Sequence, residues 1–173
     1  MKKNFKWFAA AVILFLIFGF TFLTVQQAQR NDANSPQIQM AEDAAAALNT
    51  GTKPSDLTRG HVDMAASLAP FTIIYNKTGA VVSGSGYLNG SIPTPPLGVL
   101  TASTGKEYSF VSWQPQGDVR IAAVTTTAKN YYVLSGRSLK EVEKNENKTF
   151  WFAFMGGVLS ELVLAAAFIA RKA

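Results

Sequence analysis

The sequence predicts an α+β protein in which two membrane-spanning helices flank one folded domain. That domain is expected to contain helices followed by a five-stranded antiparallel sheet. Two observations at the chain ends support this prediction: apolar stretches at 7–25 and 149–170, and basic residues just outside both of them. A third lies between them, where 26–148 first shows a helical period and then short β-branched and aromatic runs separated by turn residues.

The first apolar stretch is long enough to cross a bilayer. Trp7 to Val25 comprises 19 residues without a charged side chain, and about 20 apolar residues span the hydrocarbon core. A cleaved signal peptide is the alternative, but its apolar region is about 7–15 residues long and ends at a small-residue cleavage site. Thr24 to Ala28 does not have that pattern. We therefore expect an uncleaved transmembrane helix.

The second apolar stretch has the features of a span on both sides. Thr149 to Ala170 comprises 22 residues with one charge, Glu161. Trp151 lies at its start between two phenylalanines, as an interfacial anchor would, and Arg171 and Lys172 follow its end. We expect a second transmembrane helix here.

The distribution of charge predicts topology rather than nucleic-acid binding. The net charge is +5, yet residues 26–148 carry 11 basic and 10 acidic side chains. The excess lies at Lys2, Lys3 and Lys6 and after residue 170. Positive flanks stay cytoplasmic, so segments 1–6 and 171–173 are expected in the cytoplasm and the domain outside. The chain is interpreted as a bacterial cytoplasmic-membrane protein.

Glu161 lies near the expected bilayer centre, where a charged carboxylate costs about 2.5–3.5 kcal/mol on insertion scales. The first stretch offers no Lys, Arg or His to pair with it. Small residues, which let helices approach closely, surround it on the same helix: Ala153, Gly156, Gly157 and Ser160. These residues predict an intramembrane contact with another subunit or a second copy of the chain. The alternative is a protonated glutamic acid that the bilayer tolerates without a partner.

The segment between the spans divides into helical and strand-like parts. Gln26 to Ser35 is interpreted as a polar link, and Ser35-Pro36 as the start of a helix that ends near Gly51. A second short helix is expected at 62–68. The remaining expectations are a hairpin of strands at 71–75 and 80–88, a proline-rich loop at 89–98, strands at 107–114, 118–127 and 131–135, and a helix starting at Ser138 that continues into the second span.

Four short motifs follow one another along 62–143: Pro70 through Tyr75, Ser83-Gly84-Ser85-Gly86, Trp113-Gln114-Pro115 and Gly136-Arg137-Ser138-Leu139. This order resembles the extracytoplasmic PAS-like (PDC or single Cache) sensor domains of bacterial membrane receptors, especially sensor histidine kinases. The resemblance implies a small ligand on the sheet face and a last strand that leads through a helix into the second span. The chain departs from the family because only three residues follow position 170, with no output domain among them. Output is therefore expected to come from a partner chain.

The residue types argue against catalysis. Cysteine is absent and His61 is the only histidine, so neither a thiol nucleophile nor a His/Cys metal site is expected. No cofactor is predicted. A ligand pocket, if present, is assigned to Tyr75, Trp113, Arg120 and Tyr132, because aromatic walls with one guanidinium suit a small anionic or polar ligand. The alternative places the aromatic residues in the core and Arg120 on the surface.

Two functions remain open from the sequence. The first is a non-catalytic sensor whose external domain binds a small ligand or a partner ectodomain and relays its state through partner subunits. The second is a structural or accessory subunit of a larger transporter, respiratory or envelope assembly, held through the second span around Glu161.

Overall fold

The computed structural model describes residues 2–171, apart from the side chains at 2–4, 30 and 32–34. The chain divides into two compact units. The helical unit takes the residues up to Arg30 and from Val142 onward, and the sheet domain is Asn31–Glu141. The predicted end segments 1–6 and 171–173 lie partly outside the described residues.

Within residues 2–171 there are four helices and seven strands. The helices are α1 (Lys2–Asn49), α2 (Pro54–Leu57), α3 (Leu97–Thr101) and α4 (Lys140–Ala170). The strands are β1 (Val62–Asp63), β2 (Phe71–Asn76), β3 (Val81–Gly84), β4 (Gly86–Tyr87), β5 (Ser109–Gln116), β6 (Val119–Ala128) and β7 (Tyr131–Ser138).

Both predicted spans are helical. Phe5–Gln29 and Lys140–Ala170 are long and apolar enough to cross a membrane, and the most apolar 18-residue window of each contains no buried residue. Within the helical unit the two helices meet along one seam in antiparallel order. Trp7 contacts Phe168 and Phe22 contacts Phe150, with ring centroids 5.5 and 5.7 Å apart. Most of the remaining apolar surface faces outward, as expected for helices whose solvent is lipid.

The predicted helix start at Ser35 is wrong, because α1 continues through this position. The hydroxyl of Ser35 donates to the carbonyl of Asn31, one turn back, at 3.4 Å. Pro36 lies inside the helix and removes one backbone hydrogen bond. The residues after it bury a helical face, including Ala41 and Leu48, which favours the helix despite the proline.

The five-stranded antiparallel sheet is confirmed, with strand order β3-β2-β7-β6-β5. The central pair β2 and β7 sets Ile73 opposite Leu134 and Tyr75 opposite Tyr132. Strand β7 pairs over its full length with residues 121–128 of β6, and β6 pairs with β5 on its other side. The predicted strands occur within a few residues of their expected bounds, because β-branched runs and glycine or asparagine turns mark both ends of each.

The segment between α2 and β5 departs from prediction at two places. The expected helix at 62–68 is instead the short strand β1 followed by a turn, in which the Asp63 carboxylate accepts the backbone N–H of Ala65 at 2.9 Å. The expected return strand at 80–88 splits into β3 and β4, and β4 pairs in parallel with β1. Gly86 allows this turn onto the sheet because a side chain there would begin 2.5 Å from the ring of Phe71.

The sheet is covered on both faces, which alternate along each strand. On the helix-side face, α1 packs its small residues and Leu48 over Ile74, Val124, Ala128 and Val133. On the loop-side face, residues from 62–103 such as Met64, Leu88 and Leu100 cover Phe71, Ile73, Ile121 and Leu134. Strand β2 is therefore buried along almost its whole length.

Candidate functional site

Three of the four predicted pocket residues lie on the loop-side face of the sheet, but only Tyr75 and Tyr132 are neighbours, because Trp113 lies about 20 Å further along the strands. Tyr75 and Tyr132 are directly paired across β2 and β7, and Trp113 lies opposite Ile121 on the same face. Tyr75 is fully buried, while Trp113 and Tyr132 are each 8% exposed. These three residues, here called the aromatic trio, belong to the core, and their ligand-binding role stays a prediction.

Tyr75 ties the proline-rich loop to the sheet. Its hydroxyl donates a hydrogen bond to the backbone carbonyl of Pro93 at 2.9 Å. Burial raises the pKa of Tyr75 above its ordinary value because the phenolate would lose its hydration. The side chain therefore stays a neutral hydrogen-bond donor over the physiological range, and it fastens the loop to this part of the sheet.

The cation next to Tyr132 is Lys77, which the sequence reasoning did not select. Its ammonium lies 4.3 Å from the centroid of the Tyr132 ring. The same group donates to the carbonyls of Ala128 at 3.0 Å and Tyr131 at 3.2 Å. Desolvation lowers the pKa of Lys77. The period of two along a strand was the available signal, because it puts residues 75 and 77 on one side.

Arg120 does not join the aromatic trio. It is exposed and precedes Ile121 in β6, so strand alternation directs it to the helix-side face. Its backbone carbonyl accepts the N–H of Leu139 at 2.8 Å, just before α4. The guanidinium that the sequence analysis grouped with the aromatic residues is thus on the opposite face of the sheet from them.

The glycines near Glu161 face the first helix of the same chain. A Cβ atom at Gly156 would lie 2.8 Å from the Phe18 ring, and one at Gly157 would lie 3.7 Å from it. Ser160 donates its hydroxyl to the carbonyl of Gly156 at 2.8 Å, within α4. These small residues therefore let Phe18 approach α4, which is a use within the chain. Their predicted contact with a partner stays untested.

Glu161 and Ala153 line a groove on one side of the paired helices. The groove encloses about 610 Å³. Its walls are apolar and include five phenylalanines: Phe15, Phe18 and Phe22 from α1 and Phe150 and Phe154 from α4. Among the described residues that line it, Glu161 alone is ionisable. Among the side chains that the structure describes, none forms a hydrogen bond or ion pair with its carboxylate.

His61 has a structural contact. Its ring stacks on Tyr87 with centroids 4.0 Å apart, which places it beside β4 and not at the start of the expected helix. Among the side chains that the structure describes, His, Asp and Glu do not gather in a group of three that could hold a metal ion.

Comparison of the chain with protein-family models, with curated proteins and with solved structures gave no match. Its function is therefore inferred from its own residues and geometry.

Proposed function

We propose that the chain is a non-catalytic membrane subunit that spans the bilayer twice and holds a PAS-like sheet domain on the extracytoplasmic side. The domain receives a signal by contacting the external part of another protein and passes its state to partner subunits in the membrane. The basic residues outside both apolar stretches support this topology.

The observation that carries the proposal is the strand order of the sheet. Counting only its own five strands, the order is second, first, fifth, fourth, third, which is the order in PAS-like sheets. The sheet also receives α1 on one face and a long loop excursion on the other. This arrangement supports the resemblance that the motifs suggested.

The start of α4 is tied to two strands of the sheet. The N–H of Leu139 donates to the carbonyl of Arg120 in β6, and the N–H of Lys140 donates to the hydroxyl of Ser138 in β7 at 3.3 Å. Arg137 and Glu141 add a contact at 4.0 Å across the same turn. A change in the spacing of β6 and β7 would therefore act on the first turn of a helix that continues to Ala170.

Two observations bear on what the domain recognises. Tyr75 and Tyr132 are buried, so a ligand beside them would have to displace the loop that Tyr75 fastens through Pro93. This favours a protein partner over a small molecule. Ligand sensing remains a second candidate because the side-chain hydrogen bonds from that loop to the sheet in the described residues are few, Tyr75 to Pro93 and Asn89 to Gln116, and because Lys77 lies over Tyr132. A structural role in a larger assembly is supported by Glu161 in its apolar groove.

The absence of cysteine makes the topology directly testable. Single substitutions Asp118→Cys, in the exposed turn between β5 and β6, and Lys6→Cys, before the first stretch, provide a matched pair. In intact cells a membrane-impermeant maleimide should label Asp118→Cys only. Lys6→Cys should become labelled after permeabilisation. Equal labelling of both, or the reverse pattern, would reject the proposed topology.

The relay is tested by purifying the tagged full chain from native membranes in mild detergent and identifying the accompanying proteins by mass spectrometry. The proposal expects a stoichiometric membrane partner that carries an output domain. A chain that purifies alone, with correct topology, would reject the relay and leave the domain to be tested for small ligands.

A further inference from the structure

The groove beside Glu161 is an unusual surface even for a membrane helix pair. Five phenylalanines form its walls, and a single carboxylate without a described partner lies among them. The carboxylate is less than two residues from the middle of 149–170, or about 2 Å along the helix axis. At this depth lipid tails provide no hydrogen-bond donors.

The helical unit cannot neutralise this carboxylate from within. Phe18, which faces Gly156 and Gly157, is the wall nearest to those positions on the first helix, and it has no polar atom. Ser160 already donates its hydroxyl to the Gly156 carbonyl. The small residues Gly156 and Gly157 pack α4 against Phe18 of α1. Glu161 is therefore the residue of this helix segment that can contact another protein through the groove.

Resting on the two-span topology proposed above, we propose that this groove seats a transmembrane helix of a different protein, which brings a lysine or arginine to Glu161. Charge complementarity selects this occupant. A carboxylate at the bilayer centre is costly unless a cation or donor meets it, and a basic residue in the partner's span would have the same need. The pair would remove both costs at once.

A second copy of this chain is a poorer occupant. Residues 7–25 and 149–170 contain no Lys, Arg or His, so a second copy offers no cation at this depth. A symmetric contact would instead bring two Glu161 carboxylates together. The predicted partner span therefore has a basic residue near its middle, with roughly ten apolar residues on either side.

Two neighbouring phenylalanines give a matched photo-crosslinking test in the full chain. Phe154 lines the groove, whereas Phe152 is 78% exposed and lies about 200° away around the helix. Each is replaced in turn by p-benzoylphenylalanine, and native membranes are irradiated. The Phe154 variant should give a discrete protein adduct whose cross-linked peptide is a transmembrane segment with a central Lys or Arg. The Phe152 variant should not.

The same adduct is then measured with Glu161→Gln, which keeps the side-chain shape and removes the charge. Its yield should fall by roughly tenfold, at the upper end of effects measured between membrane helices. Reversing the partner's basic residue to Glu and Glu161 to Lys should restore it. An adduct with a second copy, an adduct only with lipid, a partner span without a basic residue, or a yield unchanged by Glu161→Gln would each overturn the proposal.

The cross-linking experiment tests the proposed helix partner of the groove, and the cysteine labelling tests the two-span topology. Correct cysteine labelling with no helix adduct would reject the groove inference alone. Inverted labelling would reject the proposed function first. Because the Phe154 and Phe152 comparison keeps Glu161 in place, a Glu161→Gln chain that fails to accumulate would still leave the proposal testable.

Discussion

The sheet domain and the helical unit use the same apolar residues in opposite ways. Phe71 in β2 is 1% exposed, whereas Phe152 in α4 is 78% exposed. Ile73, Ile74 and Val124 in the domain are fully buried, while the helices bury only a narrow seam. The difference fits the proposed membrane placement, in which water around the domain drives apolar side chains inward and lipid around the helices does not.

Polar groups show the same contrast. In the sheet domain the hydroxyls of Thr72 and Ser135 pair across strands at 2.9 Å inside the core. In the helical unit Thr24 and Ser160 each donate to the backbone carbonyl four residues earlier. A helix in lipid satisfies its hydroxyls locally because no water is available. Glu161 departs from this rule, since no described group bonds to its carboxylate.

The largest test of the contrast exchanges one phenylalanine in each region for alanine. Phe71→Ala should lower the free energy of unfolding of the domain by about 3–5 kcal/mol, because it removes a buried ring and leaves a cavity under Gly86 and Gly136. Phe152→Ala should leave domain unfolding unchanged within about 0.5 kcal/mol. Both are measured by denaturant titration of the full chain in mild detergent.

Fluorescence can isolate the domain in this experiment. Trp113 is the only tryptophan in 31–141, so replacing Trp7 and Trp151 with Phe makes it the sole reporter. If Phe71→Ala and Phe152→Ala lower the free energy of unfolding by similar amounts, both side chains contribute to the stability of one cooperative unit. That result would contradict the proposed difference between the sheet domain and the helical unit.

A second test uses the titration of Tyr75. Its pKa is raised in the folded protein, so above about pH 10 the unfolded chain loses the proton while the folded chain retains it. The unfolded state then binds fewer protons, and stability falls as pH rises from about 10 towards the raised folded value. Tyr75→Phe should remove this part of the pH dependence and cost about 1 kcal/mol at neutral pH through the lost bond to Pro93.

Tyr108→Phe is the matched control, because Tyr108 is half-buried at the edge of the other sheet face. It should keep the alkaline loss of stability that Tyr75→Phe removes. If the free energy of unfolding falls equally with pH in wild type and Tyr75→Phe between pH 9 and 11, the burial of the Tyr75 hydroxyl does not cause the alkaline loss of stability.

Sequence patterns predicted the sheet because each strand combines a β-branched or aromatic run with its own turn signal. The predictions were wrong where contacts between residues distant in sequence determine the secondary structure. The strand at Val62 exists because it pairs with Gly86, and Ser35 stays helical because the residues after it pack on the sheet. Arg120 was grouped with aromatic residues by chemical type, whereas its strand position puts it on the other face.

The same limit applies to the helical unit. The period of small residues in α4 predicted a close helix contact, but the sequence could not show that Phe18 of the same chain provides it. Glu161 was identifiable from its charge alone, because a carboxylate in an apolar stretch is visible without a structure. The aromatic groove around it required the register of α1 against α4.

The smallest predicted effect concerns a polar side chain in the domain that breaks the contrast. Gln37 on α1 is fully buried, and neither atom of its amide has a hydrogen-bond partner among the described residues. An unpaired buried amide costs about 1–3 kcal/mol, so Gln37→Met, which keeps the length and removes the polar atoms, should raise the free energy of unfolding by about 1 kcal/mol. Gln39→Met, at an exposed position two residues on, should change it by less than about 0.5 kcal/mol.

The same denaturant titration measures both glutamine variants. If Gln37→Met destabilises the domain, the amide bonds to a group outside the described residues, such as a trapped water. The buried amide of Gln37 would then stabilise the fold by helping to hold α1 against the sheet. If the variant stabilises the domain, the unpaired amide of Gln37 lowers the free energy of unfolding in the wild type. The sheet domain then favours apolar side chains at every buried position tested, whereas the helical unit exposes its apolar side chains.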